Sequence, residues 1–229
     1  MDELRHFCVR MLGKGPAARS AEEAAAGAGA GDRLAALRVA VSECRRMAAA
    51  RPGAANGAAE RQTTAGAGAD LASAVAGELA SATARLTEPE REGLALRDLL
   101  GLSWGDMAAV TEAEPESIGP LLAGARVRLR QELRGSGTPT PGCPERDRAL
   151  RTLAARQDDE PVAPADEEWL IEHLGHCRGC AQIHAAMLEA TACYRAWGAA
   201  EGAGAGAGGD PGSAADGGAG SGDPADAGP

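Results

Sequence analysis

The sequence predicts an all-α protein assembled from small helical modules. Three observations carry that expectation. Val and Ile are scarce and no apolar-polar alternation runs for any length, so no strand is expected. Apolar residues recur instead at helical spacing, and they do so within three segments. Elsewhere Ala and Gly dominate: Ala is roughly a quarter of the 229 residues and 32 are Gly.

The same composition bounds the core. Leu, Ile, Val and Phe together number about 32, roughly 14% of the chain and below the ~20% at which ordered cores become hard to build. One core of ordinary size over the whole length is excluded. No apolar run approaches the ~20 residues of a membrane span. A net charge of −10 argues against a generally basic nucleic-acid binder. Charge is uneven, however. Residues 1–51 carry nine basic and six acidic side chains, whereas residues 198–229 carry acidic charges only. The polar start MDELRHFCVRMLG does not read as a secretory signal. A reducing cytoplasm is therefore expected, where Cys beside His points to metal or redox chemistry rather than disulfides.

The elements follow in order. Residues 1–51 hold helical stretches at Leu4–Gly13 and Leu34–Arg51, with a short one at Ser20–Ala26 between them. Cys8 and Cys44 read as lone small apolar residues there. Residues 52–84 read as an Ala/Gly-rich linker and helix. Residues 85–134 hold much of the large aliphatic content. Thr87 with Glu90 fits a capping box ahead of Leu94, Leu96, Leu99 and Leu100, and Gly101 ends that helix. Ser103 with Asp106 opens a short helix through Trp104, Met107 and Val110. After the polar Thr111–Glu114, a third helix runs from about Pro115 to Leu133. Its expected buried face is Ile118, Leu122, Ala125, Leu129 and Leu133. Short helix, tight turn and longer helix make a helix-turn-helix. Residues 135–142 contain GSGTPTPG, a linker in which Gly and Pro block both helix and strand. Residues 143–197 hold four of the six Cys and three of the four His, and 198–229 read as a disordered tail.

The string LTEPEREGLALRDLLGLSWGDMAAV…ESIGPLLAGARVRLRQEL resembles region 4 of sigma-70 family factors of the extracytoplasmic-function type. The match runs through Leu86, Arg91, Leu94, Leu96, Arg97, Gly101–Ser103, Asp106–Ala108 and Ala125–Arg130. Residues 4–51 resemble a degenerate region 2. The resemblance implies a promoter-reading module, with Ser117, Arg126, Arg128 and Arg130 on its second helix placed toward DNA. Two departures stand out. Gly119, Pro120 and Leu121 occupy places where the family tends to carry Lys, Ser or Thr, and Arg, and base reading needs such donors. Phe7 is the only aromatic in residues 1–51, although strand opening uses aromatic platforms for unstacked bases.

The strongest chemical signal is His173-x3-Cys177-x2-Cys180. Zn2+ takes four tetrahedral N/S ligands, and C-x2-C spacing lets two thiolates reach one ion. His173 falls near the end of an expected helix, Asp166–Leu174, capped by Asp166. Gly175 is expected to turn the chain so that Cys177 and Cys180 come back over His173. Cys180 then opens a helix with the stripe Ile183, Met187, Ala190, Tyr194 and Trp197. The fourth ligand is open among Cys143, His176 and His184, with Cys193 a weaker rival. Cys143 precedes a helix, Pro144–Gln157, that can close a hairpin onto the site. Cys143…His173-x3-Cys177-x2-Cys180 resembles the zinc-finger anti-sigma family over residues 143–190, and that resemblance implies Cys143 as the fourth ligand of a zinc-stapled helical hairpin.

Together these readings give a transcription-initiation regulator: a sigma factor-like protein with a helix-turn-helix and a regulatory zinc finger. Its expected partners are RNA polymerase core or a sigma factor, with promoter DNA. The alternative is a non-DNA-binding, anti-sigma-like regulator acting through protein contacts. No catalytic constellation, small-molecule substrate or membrane segment is expected.

Overall fold

The computed structural model describes residues 2–28, 31–50, 71–135 and 142–206. Much of the expected linkers (52–70 and 136–141) and of the expected tail (207–229) lies outside the described residues. Within them the protein is all-α, with ten helices and no strand. No described helix is long and apolar enough to cross a membrane.

The N-terminal bundle consists of α1 (Asp2–Leu12), α2 (Pro16–Ala28) and α3 (Arg33–Ala49). Asp32 caps α3 by accepting from the N–H groups of Leu34 and Ala35. Helix α2 is longer than the expected Ser20–Ala26, because Ala is the strongest helix former and Ala18, Ala21 and Ala25 pack inward. Next come α4 (Leu71–Ala84) and α5 (Glu88–Leu94), the latter running into a π-turn over Ala95–Leu99. The Glu90 carboxylate accepts from Thr87 N–H at 2.7 Å and Thr87 Oγ1 at 2.8 Å, so the expected capping residues meet. Ser103 Oγ likewise accepts from Asp106 N–H at the start of α6 (Trp104–Thr111). A short turn, with Glu112 in the left-handed region, leads into α7 (Pro115–Arg134). Ile118, Leu122, Ala125 and Leu129 are buried as the spacing predicts, and Leu133 is partly buried. The last three helices are α8 (Arg146–Gln157), α9 (Pro164–His176) and α10 (Arg178–Gly206). Residues 198–206, expected in the tail, instead continue α10.

Among the described residues three small cores form, and none follows the segment boundaries of the sequence. The first packs Phe7, Leu37 and Val41 of the N-terminal bundle against Leu96, Leu102, Met107 and Ile118. The second joins Leu79, Leu86, Leu94 and Leu129 to Ala190, Tyr194 and Trp197 of α10. The third sets Ala123 and Val127 of α7 on Leu153, Leu170, Ile183 and Met187. The stripe along α10 therefore serves two cores. Its aromatic end also reaches α1, where the Arg10 guanidinium lies over the Trp197 ring.

Charge explains how the bundle docks. Arg33 donates to the Leu100 carbonyl, Arg38 to that of Ala109 and Arg45 to that of Thr111. Two of these carbonyls lie in the last turn of α6, where the helix dipole favours cations. Arg45 also pairs at 2.6 Å with Glu92, which is buried. Burial raises the Glu92 pKa, and Arg45 opposes that rise. The basic excess of the first segment is thus spent on the second.

Candidate metal centre and helix-turn-helix

Cys143, His173, Cys177 and Cys180 come together, their ligand atoms all within 4.8 Å of one another. Cys143 sits just ahead of α8, His173 in the last turn of α9, Cys177 at the end of α9 and Cys180 in the first turn of α10. Cys143 Sγ lies 3.5 Å from His173 Nε2. Ligands on one tetrahedral ion with ~2.3 Å metal–sulfur bonds sit about 3.5–3.8 Å apart, so this donor set fits a single ion after a small closure. The group can hold a metal ion.

Local geometry differs from expectation in two places. Helix α9 begins at Pro164 with Ala163 as its N-cap, not at Asp166. Pro at the first position has no N–H to satisfy, so it starts the helix earlier. Asp166 is left free to accept from Arg148, at 2.6 Å from Nη2. Gly175 stays inside the helix, and the chain turns at Cys177 (φ −102°, ψ 92°), whose N–H still bonds the His173 carbonyl at 2.7 Å.

The ligands are supported by their neighbours. Trp169 lies one turn before His173, and the two rings stack with centroids 4.8 Å apart. The Arg148 guanidinium covers Trp169, 4.1 Å from its centroid. The backbone N–H of Cys180 lowers the Cys177 thiol pKa, whereas burial pushes the Cys180 thiol up to about 12. A bound cation reverses that second effect by stabilising the thiolate. The rival ligands lie outside the cluster. His176 Nδ1 faces the Glu172 carbonyl at 2.9 Å. His184 and Cys193 are not members of the group.

The helix-turn-helix places its residues differently. Ser117 is exposed, its Oγ donating to the Glu114 carbonyl at 2.6 Å. Arg126 is 0% exposed, so a phosphate-facing role is corrected for this residue. It is sealed between two carboxylates, Asp98 at 2.8 Å and Asp158 at 2.6 Å. Burial opposes its charge, but the bonds and charges of those carboxylates more than offset this and raise its pKa. Arg128 remains 44% exposed, 3.6 Å from Glu90. Arg130 pairs with Glu189 of α10 at 3.1 Å, and Arg134 pairs with the same carboxylate. The exposed face at the start of α7 is Glu116, Ser117, Pro120 and Gly124, preceded by exposed Glu112 and Glu114.

Gly119 has a reason of its own. A Cβ there would sit 2.8 Å from Cζ3 of Trp104, so only glycine lets the ring lie on the α7 backbone.

Sequence reasoning missed the polar cluster around Arg126. Asp158, the C-cap of α8, accepts from Arg126 and from Trp104 Nε1 at 3.0 Å; Arg97 Nε lies 3.2 Å from its carboxylate as an ion pair, and Arg97 Nη2 donates to its backbone carbonyl. Glu160 accepts from the Trp104 N–H at 2.8 Å. Arg195 of α10 approaches Asp98 at 3.4 Å. One local signal existed: Gly119, Ala123 and Arg126 continue at spacings of four and three beside the expected stripe, marking a second buried face on α7. Cys8 and Cys44 are not the lone residues that the sequence suggests. Both are buried in the first core, on α1 and α3, and each shifts the other's thiol pKa, Cys8 downward and Cys44 upward.

No family model, no curated protein and no solved structure matches this chain.

Proposed function

We propose that this chain is a zinc-holding regulator of transcription initiation, sigma factor-like in plan and cytoplasmic. The observation that carries the reading is the placement of its two motif-bearing units. The α6–turn–α7 unit, whose sequence resembles sigma region 4, packs on the N-terminal bundle on one side. The Cys3His hairpin, whose sequence resembles zinc-finger anti-sigma proteins, packs on it from the other. Zn2+ suits the donor set, since three thiolates and one imidazole complete a tetrahedral site with no open position for substrate. Its role is then structural, and the chain acts through its partners rather than by catalysis.

A second reading is favoured by a specific observation. Arg126, Arg130 and Arg134 are all engaged by carboxylates, two of them (Asp158 and Glu189) from the Cys3His segment. Phosphate affinity comes largely from Lys and Arg. In this reading the chain keeps the helix-turn-helix as a scaffold and binds polymerase core or a sigma factor by protein contacts alone. Affinity purification of the full chain from its native cell tests both readings. Recovery of polymerase core together with salt-sensitive promoter binding supports the sigma-like reading. Recovery of a sigma factor or core with no promoter binding at low salt supports the second. Recovery of neither overturns the assignment to transcription initiation.

A further inference from the structure

We propose that the loop after α8 couples occupancy of the Cys3His site to the order of the helix-turn-helix. The proposal rests on the metal reading above. Asp158 and Glu160 are the coupling residues.

The loop holds both helices of the helix-turn-helix at once. On α6 it takes Trp104 by two bonds, the backbone N–H to Glu160 and Nε1 to Asp158. On α7 it takes Arg126 through two bonds to Asp158, at 3.1 and 2.6 Å. On the π-turn between α5 and α6 it takes Arg97. The Arg126 and Asp158 side chains are both 0% exposed, so no solvent stands ready to replace the carboxylate.

The other end of α8 belongs to the metal site. Cys143 lies just before the helix and Asp158 caps its end. Twelve helical residues make a stiff rod of about 18 Å between them. Besides the Asp158 bonds, Arg148 pairs with Asp166 and Gln157 with Thr191, and the rest of its support is mostly apolar. The core beneath it is made of nine buried residues, and Ala123, Ala149, Ala154 and Cys180 are among them. A core so small needs a staple. When the staple is a metal, its binding free energy is folding free energy for the segment. Loss of the ion therefore loosens α8 and withdraws Asp158. Arg126 is then a buried charge held by Asp98 and no longer by its second carboxylate. Such a group does not stay sealed. Helix α7 opens to hydrate it, and Trp104 loses both partners in the same event.

Hydrogen exchange on the full chain, loaded with Zn2+ and then chelated, tests the coupling. Metal content is measured first. Chelation is expected to speed exchange in peptides covering residues 97–130 by about tenfold or more, alongside those covering 143–180. Asp158→Asn is expected to bind Co2+ with an unchanged thiolate absorption spectrum, yet to exchange fast over 97–130 even when loaded. If chelation frees 143–180 while 97–130 keep their protection, the coupling is wrong and the metal site stands. The coupling is equally wrong if D158N retains metal-dependent protection over 97–130. If the chain binds neither Zn2+ nor Co2+, the metal reading fails and takes the coupling with it. Should D158N not fold, the comparison of loaded and chelated wild-type chain decides alone.

Discussion

Helix α8 ends in two polar clusters of opposite construction. At its N-terminal end, four neutral or weakly acidic ligands converge from the ends of three helices, and what they offer one another is weak bonding such as Cys143 Sγ to His173 Nε2 at 3.5 Å. Thiols make weak hydrogen bonds, and burial raises the Cys180 pKa, so a cation would bind these donors more strongly than they bind one another. At its C-terminal end, Arg126 is sealed between two carboxylates of its own chain. Arg97 and Arg195, ion-paired with Asp158 and Asp98, offset the second negative charge, and Trp104 Nε1 donates to Asp158. The difference teaches which cluster carries stability and which carries fit. The first supplies free energy from outside the chain when an ion binds. The second supplies little net stability, because desolvating three charged groups offsets most of their attraction, but it penalises any arrangement that separates them.

The sharpest way to break this comparison is to remove one ligand from the first cluster. Cys177→Ala should abolish metal binding and with it the contribution of the ion, about 10 kcal/mol or more for structural zinc sites at neutral pH. The chain's total helical signal in circular dichroism should fall by the share that the helices within residues 143–180 contribute. Cys193→Ala is the control, since Cys193 lies outside the cluster. It should leave about one metal per chain. Equal metal content in the two variants would mean that the four residues are a chance gathering of core side chains.

The two clusters are also unequally legible in the sequence. His173, Cys177 and Cys180 lie within eight positions, so the motif is local and its chemistry is written in spacing. Caps are legible for the same reason, as Thr87 with Glu90 and Ser103 with Asp106 show. Asp98 and Asp158 are 28 and 32 residues from Arg126. No local rule pairs residues at that distance, and an arginine between Ala125 and Val127 on a long helix reads as a solvated charge. Gly119 reads in sequence as a departure from a recognition helix, whereas its place is fixed by the Trp104 ring on the other side of the turn. Segment boundaries mislead as well. Linkers mark where the chain lacks core, not which segments share one, and α10 gives Tyr194 and Trp197 to a core built mainly from residues before 135.

A thermodynamic cycle on the second cluster gives the next largest effect. Asp158→Ala leaves Arg126 buried with one carboxylate fewer, and should destabilise the metal-loaded protein by about 3–5 kcal/mol in denaturant melts. Replacing Arg126, Asp98 and Asp158 together by Met, Leu and Leu should cost less than the single change, because the sealed Arg126 charge leaves with its carboxylates, while Arg97 keeps its bonds to the Leu102 and Asp158 carbonyls. If the triple variant is the worst of the set, the cluster is a net source of stability and its contrast with the metal end disappears.

The smallest effect belongs to the rim, where Arg130 and Arg134 share Glu189. The hydrogen bond from Arg134 depresses the Glu189 pKa below its ordinary 4.5, with Arg130 adding to the shift. A carboxylate depressed in the folded state contributes stability that is fully present above its unfolded pKa. That contribution fades as pH falls through the lower, folded value. Wild type and Glu189→Gln should therefore differ at neutral pH and converge in acid below about pH 4.5. The carboxylate is a third exposed, so solvent screens the pairs heavily. At about 1 M salt, where the Debye length is ~3 Å, the neutral-pH difference should nearly vanish. The Asp158→Ala effect should persist at the same ionic strength, since that site is sealed from solvent. Melts of both variants at two salt concentrations separate rim from interior. Equal salt sensitivity would mean that water reaches Asp158, and the distinction between a sealed cluster and a surface one would be lost.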